Sequence, residues 1–183
     1  MDNGEDMTAE EYLTTHWIKN KIYTHNRASH HVKRFAYCAK VLVGTKFIDI
    51  GCACGHSTAA LKKLRGGDWS GLDFFEPVIE TARKDFPGIT FYYSPDNNYK
   101  ELVGEYDSVV CSEVIEHVPD DRVFVDKVIG IAKEVVIFTT PHKNVGDPGH
   151  VRVYSAKALQ ELFDGYDYSI ERDETFFYIL VKK

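Results

Sequence analysis

From Lys46 onward, short apolar runs alternate with segments whose apolar residues recur every three or four positions. The short runs are typical of buried strands, and the second pattern is typical of amphipathic helices. Such alternation predicts right-handed crossovers and a parallel sheet that helices cover on both faces. The predicted strands are 46–50, 69–73, 89–94, 108–112 and 135–140, and the predicted helices are 58–64, 77–85, 121–131 and one that Ser155 caps and that reaches about Phe163.

The last two apolar runs, 166–172 and 175–181, break this alternation. Only Asp173 and Glu174 separate them, which is too short for a helical crossover. The two runs therefore predict a hairpin in which one strand is antiparallel to the rest of the sheet.

The first 45 residues carry helical patterns. Thr8 and Glu11 form a capping box that predicts a helix to about Asn20, and a second helix is predicted from about Asn26 to Val43. A length of 183 residues fits one domain. We therefore expect a single domain over 1–183, with a helical N-terminal part at 1–45 and a core at 46–183.

Charge and composition narrow the classes of function. The chain has 22 Lys+Arg against 28 Asp+Glu, a net charge of −6, so it has no global attraction to nucleic acid or anionic lipid. We expect a small-molecule substrate and consider nucleic acid unlikely. No apolar run approaches the roughly 20 residues of a membrane span, and the first six residues are acidic where a secretory signal would be basic. These features predict a cytoplasmic protein without a membrane span, either a monomer or a homodimer.

Four cysteines in a cytoplasmic chain are expected to be free thiols. The group Cys52, Cys54 and His56 could instead be read as a metal cluster. Three ligands crowded into one tight turn would give poor tetrahedral geometry, which favours the thiol interpretation.

The segment from Phe47 to Thr58 joins an apolar strand to a helix through a turn of small residues. Such a turn lets the backbone approach a ligand while the helix offers free N–H groups, as in nucleotide-type cofactor sites. Asp49 stands directly before the turn region, where its carboxylate would repel a pyrophosphate. A ligand with an amino group and a sulfonium suits it better, which indicates S-adenosylmethionine rather than a dinucleotide.

The chain from Lys46 to Lys183 resembles the class I S-adenosylmethionine-dependent methyltransferases. Residues 49–55 (DIGCACG) are similar to the glycine-rich first motif of that family, and 71–74 (GLDF) are similar to its second. The resemblance implies a doubly wound, Rossmann-like α/β sheet of order 3-2-1-4-5-7-6 with strand 7 antiparallel, and N-terminal helices that form a lid. Ala53 stands where the middle glycine of the motif is usual, and an alanine fits there if its φ is negative.

The resemblance also implies a cofactor site, with S-adenosylhomocysteine as the product. Asp73 would hold the ribose hydroxyls, since a carboxylate can accept two hydrogen bonds from a diol. Asp96 or Asn97 would read the adenine amino group, although the run Asp-Asn-Asn after a proline is also ordinary turn chemistry. The predicted cofactor-binding residues are Asp49, Gly51, Cys52, Ala53, Gly55, Asp73, Phe74, Asp96, Asn97, Ser112 and Glu113.

The candidate chemical groups follow strands four and five. Glu113, Glu116 and His117 are spaced i, i+3 and i+4, so on a helical turn they would share one face. His142 and His150 follow the next strand and should reach the same edge of the sheet. An imidazole titrates near working pH, so His117, His142 or His150 could act as a general base.

This pattern resembles two branches of the family, the ubiquinone-biosynthesis O-methyltransferases and the small-RNA 3′-terminal 2′-O-methyltransferases. The resemblance implies a divalent metal such as Mg²⁺, Mn²⁺ or Co²⁺ at Glu113, Glu116, His117 and His150. The same Glu-His pattern also occurs in methyltransferases without a metal, where these residues cap the loop or contact the cofactor.

The sequence thus predicts an S-adenosylmethionine-dependent methyltransferase that methylates a hydroxyl group of a small molecule. The alternatives are a metal-dependent RNA 2′-O-methyltransferase, a non-catalytic cofactor-binding module and a nicotinamide oxidoreductase. The turn lacks the six-residue spacing of dinucleotide sites, which disfavours the last. Substrate recognition is assigned to polar and aromatic residues of the N-terminal lid: His16, Trp17, Tyr23, His25, His30, His31 and Arg34.

Overall fold

A computed structural model describes residues 29–95, 99, 102 and 104–183. The predicted first helix and the adenine candidates Asp96 and Asn97 lie outside these ranges. The helices are α1 (Ser29–Val41), α2 (His56–Arg65), α3 (Glu76–Asp85), α4 (Asp121–Ile131) and α5 (Ala156–Leu162). The strands are β1 (Lys46–Ile50), β2 (Asp68–Asp73), β3 (Thr90–Tyr93), β4 (Tyr106–Ser112), β5 (Ala132–Pro141), β6 (Asp167–Arg172) and β7 (Phe176–Lys182).

The strands form one seven-stranded sheet of order β3-β2-β1-β4-β5-β7-β6. Neighbouring strands from β3 to β5 pair in parallel, and β7 pairs antiparallel with both β5 and β6. The predicted fold class and the closing hairpin are therefore confirmed. The antiparallel strand follows from the short turn between the last two apolar runs.

Successive strand residues enter different halves of the core, as the pleat of a sheet requires. Ile48 and Val109 belong to the cluster that also contains Phe124 of α4, whereas the adjacent Phe47 and Val110 belong to the opposite cluster. The two-sided burial explains why the strands read as continuous apolar runs rather than as alternating ones.

Helix α1 lies in the opposite cluster. Phe35, Cys38 and Leu42 are buried there beside Trp69 and Phe176 of the sheet. This helix is described from Ser29 onward and ends at Val41, before Gly44, whose φ is 77°. Its inner face is thus core, and only its remaining residues are available to a ligand.

Two helix starts follow their capping residues. The Ser155 side chain accepts a hydrogen bond from the Ala158 N–H at 3.1 Å, as predicted for α5. Asp120 caps α4 in the same way through the Val123 N–H, at 3.3 Å. Across the described ranges, we find no helix with the length and apolarity that crossing a membrane requires.

Candidate functional site

The turn between β1 and α2 has the left-handed backbone that small residues permit. Gly51, Ala53 and Gly55 have φ values of 75°, 45° and 77°. The N–H groups of Gly51 and Cys52 donate to the Leu72 carbonyl at 2.8 and 3.0 Å, which fixes the turn on β2. Ala53 does not meet the condition of a negative φ, because this residue completes the left-handed path that a glycine usually supplies.

Asp73 ends β2 directly beneath this turn. Its Oδ2 accepts a hydrogen bond from the Ala53 N–H at 2.9 Å, and its Oδ1 accepts one from the Phe75 N–H at 3.0 Å. The residue is only 7% exposed, so it is not a surface turn aspartate. Burial raises its pKa, while these backbone donors lower it. Each carboxylate oxygen keeps lone-pair capacity for a further donor.

Asp49 occupies the neighbouring strand end and is 1% exposed. Its Oδ2 accepts hydrogen bonds from the Ser57 and Thr58 hydroxyls of α2, at 2.8 and 2.7 Å. Burial raises its pKa to about 6, against the lowering effect of the two hydroxyls and of Arg34. The carboxylate thus braces the first turn of α2 beside the glycine turn.

Arg34 of α1 brings a buried positive charge to the same region. Its guanidinium forms an ion pair with Glu113, which follows β4. The side chain is buried and its guanidinium carbon lies 4.8 Å from the centre of the Phe176 ring, within cation–π distance. Its Nε makes no hydrogen bond within the described part of the chain. An arginine in this state has donors to offer a bound anion.

The remaining predicted cofactor residues have different surroundings. Phe74 is 48% exposed beside Asp73, so its ring is available to a ligand. Ser112 shares a 2.7 Å hydrogen bond with the Thr139 hydroxyl.

Cys52 and Cys54 are buried free thiols, and burial raises the pKa of each. Within the described ranges these cysteines are not part of a metal-ligand group, and a protonated thiol is a poor ligand.

A second group of polar residues follows strands β4 and β5, where Glu116, His117 and His150 come together. One ligand atom from each lies within 4.8 Å of the others, and the two imidazole rings meet edge to face with centres 4.6 Å apart. Glu116 is 1% exposed, and neither of its oxygens nor the neighbouring Thr140 hydroxyl makes a hydrogen bond of regular geometry within the described part of the chain. Burial, followed by the negative charge of Glu113, raises the pKa of Glu116 to about 8.

The tautomer of His117 follows from its partner. Its Nδ1 lies 2.9 Å from the Gly149 carbonyl, which can only accept, so Nδ1 carries the proton. Its Nε2 then has a free lone pair, available to a proton or a metal. Burial and the adjacent His150 lower the pKa of His117, which keeps the ring neutral near pH 7.

Glu113 does not share a helical face with this cluster. Its φ of 58° reverses the chain, and the single 3₁₀ turn that follows spans only Ile115–His117. The carboxylate points to Arg34, whereas Glu116 points to the histidines. The expectation of one shared face is wrong, because it assumed a helix from residue 113 onward.

Residues 48–134 match the model of a family described as a methyltransferase domain. The resemblance to the methyltransferase family is confirmed. A ubiquinone biosynthesis O-methyltransferase of Methylococcus capsulatus is 35% identical over 111 residues, which cover 57% of this chain and 46% of that protein. The chain therefore spans less than half the length of this curated relative.

Two solved structures have the same fold as this chain. Magnesium protoporphyrin IX methyltransferase from Synechocystis PCC 6803, with bound SAH, matches with a TM-score of 0.66 and 18% identity over 87% of this chain and 83% of that one. A SAM-dependent methyltransferase from Aquifex aeolicus matches with a TM-score of 0.70 and 15% identity over 89% and 97%. Identities this low show the fold alone.

A polar network holds the loop that carries His150 in place. The Tyr154 hydroxyl lies 3.2 Å from the Ile115 carbonyl and 2.7 Å from Oδ2 of Asp121, and Arg152 reaches the Pro119 carbonyl at 2.6 Å. The Val151 N–H also donates to the Glu116 carbonyl at 2.9 Å. Sequence reasoning missed these supports, for which the run Arg152-Val153-Tyr154 after His150 is the signal in the sequence.

His142 occupies a different environment. Its Nε2 donates to the Glu174 carbonyl at 2.8 Å, and its ring packs edge to face on Phe177. It is not a member of the Glu116, His117 and His150 group. Its predicted role as a base is therefore less well supported by geometry than that of His117.

Proposed function

We propose that this chain is an S-adenosylmethionine-dependent methyltransferase that acts on a hydroxyl group of a small molecule. The observation that carries the proposal is the pair of buried carboxylates, Asp49 and Asp73, at the carboxyl ends of two adjacent strands on either side of the glycine turn. Ligands of open α/β sheets bind outside these strand ends. The curated relatives, which are O-methyltransferases, support the choice of a hydroxyl.

In this proposal Asp73 receives the ribose hydroxyls of the cofactor. The two N–H groups that it already binds hold the carboxylate in one orientation without using all of its lone pairs. Phe74 would cover the adenine with its exposed ring. The nucleoside end is thus held by a rigid strand end rather than by a loop.

Arg34 and Glu113 would receive the amino-acid end of the cofactor. That end carries a carboxylate and an ammonium group, which are complementary to a guanidinium and a carboxylate. The ion pair between the two side chains would open to form two pairs with the ligand. Arg34 is buried, so its charge acts in a medium where ion pairs are strong.

The acceptor hydroxyl would lie at Glu116, His117 and His150. Methyl transfer places the hydroxyl oxygen in line with the methyl carbon, and positioning can supply much of the acceleration. The hydroxyl must also lose its proton. Nε2 of His117 is suited to receive it, since the Gly149 carbonyl fixes the other nitrogen as the donor.

The same three residues fit a divalent metal. Two buried carboxylate oxygens without regular partners and a free imidazole lone pair form a donor set that fits a divalent cation. A bound ion would make the acceptor hydroxyl easier to ionise. With Glu113 paired to Arg34, the set contains two imidazoles and one carboxylate, which suits Mn²⁺ or Co²⁺ better than Mg²⁺.

Calorimetry with S-adenosylhomocysteine tests the cofactor assignment. We expect binding to the wild type and at least about a tenfold loss in Asp73→Ala, the size expected when hydrogen bonds to a charged group are removed. Asp68→Ala is the matched control, because Asp68 is exposed at the opposite end of the same strand. Absence of binding by the wild type, or equal affinities of the two variants, would refute the assignment.

Chelation tests the metal. We expect Mn²⁺ to bind the wild type, seen by calorimetry, and Glu116→Gln to abolish that binding. Activity should fall in chelator and return with Mn²⁺ or Co²⁺. Full activity in chelator would leave His117 as the base without a metal.

The RNA alternative is tested by measuring RNA binding and turnover with the same wild-type protein. Binding to RNA should weaken steeply with salt if cationic side chains contact phosphates. The net charge of −6 argues for the small molecule. Turnover on RNA at moderate salt would reverse this preference.

A further inference from the structure

A polar cavity of about 920 Å³ opens beside the end of β5. The first turns of α1, the residues after β5 and the turn between β6 and β7 form its walls. It is lined by His30, Lys33, His142, Lys143, Arg172 and residues 173–175. None of these side chains is among the proposed cofactor contacts, although Lys33 is adjacent to Arg34 in the sequence.

Basic side chains outnumber acidic ones in this lining by three to two. Lys33, Lys143 and Arg172 are permanent cations, against the carboxylates of Asp173 and Glu174. Asp173 is already occupied: its Oδ1 accepts the N–H groups of residues 175 and 176 at 2.7 and 2.8 Å, and its Oδ2 accepts the Tyr178 hydroxyl at 2.7 Å. Together these donors lower its pKa, as does Lys33, although burial raises it. Only Glu174 remains as an uncommitted acid in the lining.

The cavity shares two structural elements with the Glu116, His117 and His150 cluster. On α1, Lys33 lines the cavity while the adjacent Arg34 pairs with Glu113. At the end of β5, Thr140 faces Glu116 and His142 lines the cavity. His142 follows directly after β5, two positions after Thr140, and an extended chain spans about 7 Å over that step. One small molecule can therefore reach both places.

We propose that the cavity binds an anionic group of the methyl acceptor, a carboxylate or a phosphate, through Lys33, Lys143 and Arg172. The acceptor would place its hydroxyl at the Glu116 cluster and its anionic end here, an assignment that rests on the proposed function. Lys33 would then contact the acceptor, whereas the adjacent Arg34 would contact the cofactor. The acceptor would thus be a hydroxylated acid or phosphate.

Titration with inorganic phosphate tests the anion site on the full chain, with S-adenosylhomocysteine present and chloride used to hold the ionic strength constant. Amide shifts in NMR should localise binding to the cavity. The double variant Lys33→Met/Lys143→Met should bind about tenfold more weakly, the effect expected from removing two charged partners. The double variant Lys63→Met/Lys84→Met removes the same charge from exposed sites of α2 and α3 and should bind like the wild type.

Two outcomes would overturn the anion site: no phosphate binding in the cavity, or equal affinity in both double variants. Its failure is distinct from that of the cofactor assignment, which is tested by S-adenosylhomocysteine binding to the wild type and to Asp73→Ala.

A second arm separates an acceptor from a free anion. We compare 3,4-dihydroxybenzoate with 3,4-dihydroxybenzyl alcohol, which differ only in the anionic group. The acid should bind more tightly, compete with phosphate and lose its advantage in the Lys33→Met/Lys143→Met variant. A phosphate site for which the acid does not compete would overturn the acceptor assignment and leave a site for free phosphate.

Discussion

Two groups of buried carboxylates lie near the carboxyl ends of the strands, and they differ in whether the protein supplies their hydrogen-bond partners. On the cofactor side, defined by Asp49, Asp73 and the turn 51–55, both carboxylates accept hydrogen bonds from the protein. On the acceptor side, defined by Glu116, His117 and His150, the Glu116 oxygens lack regular partners in the described part of the chain. The carboxylates of the proposed cofactor side are thus fixed by the fold itself, whereas the proposed acceptor side has a buried carboxylate that the described fold leaves without regular partners.

The largest effect should come from Gly51→Ala on the cofactor side. A Cβ at this residue would lie 2.3 Å from Cγ2 of Val114, at a φ of 75°. The clash and the strain together should lower the free energy of unfolding by about 3 kcal/mol. Chemical denaturation measures the loss.

Gly104→Ala is the control for this prediction. Gly104 has a φ of 66° with nothing within 4 Å of the added Cβ, so only strain remains. We expect a loss of about 1 kcal/mol. Equal losses in the two variants would mean that the packing of the turn against Val114 contributes nothing.

The next largest effect concerns Asp49 and the pH dependence of the free energy of unfolding. Its pKa is raised by burial to about 6, so the folded protein holds the proton more tightly than the unfolded chain does. The contribution is therefore present at low pH and is lost as pH rises through about 6. Asp49→Asn should remove roughly 2 kcal/mol of this decline between pH 4 and 7. Denaturation across this range checks it, and identical slopes for variant and wild type would contradict it.

A matched pair of amide substitutions tests the difference between the two sides directly. Asp73→Asn presents an NH₂ group to one of two backbone donors and should destabilise the fold by about 1 kcal/mol. Glu116→Gln should stabilise it by about 1 kcal/mol at pH 9, because a buried charge without regular partners is removed. Denaturation at pH 9 measures both. Effects of the same sign would show that the two sides do not differ as described.

The sequence predicts the cofactor side better than the acceptor side for physical reasons. Strand ends and the glycine turn are local, so apolar runs and small residues identify Asp49 and Asp73 correctly at two adjacent strand ends. The acceptor side depends on a left-handed glutamate at 113 and on an ion pair with Arg34, far away in sequence. Neither feature can be predicted from the residue types. A positive φ is uncommon outside glycine and asparagine, and the ion pair joins residues that are distant in sequence.

Ala53→Gly should give the smallest effect, and it addresses whether the cofactor side is strained by its unusual residue. At a φ of 45° alanine costs about 1 kcal/mol relative to a relaxed backbone, which glycine would recover. Glycine also gains freedom in the unfolded chain, which offsets roughly 0.5–1 kcal/mol of that gain. We therefore expect a free energy of unfolding within about 0.5 kcal/mol of the wild type and unchanged affinity for S-adenosylhomocysteine, because either residue supplies the N–H that Asp73 accepts. A stabilisation well above this range would show that the turn holds strain which the hydrogen bond to Asp73 maintains.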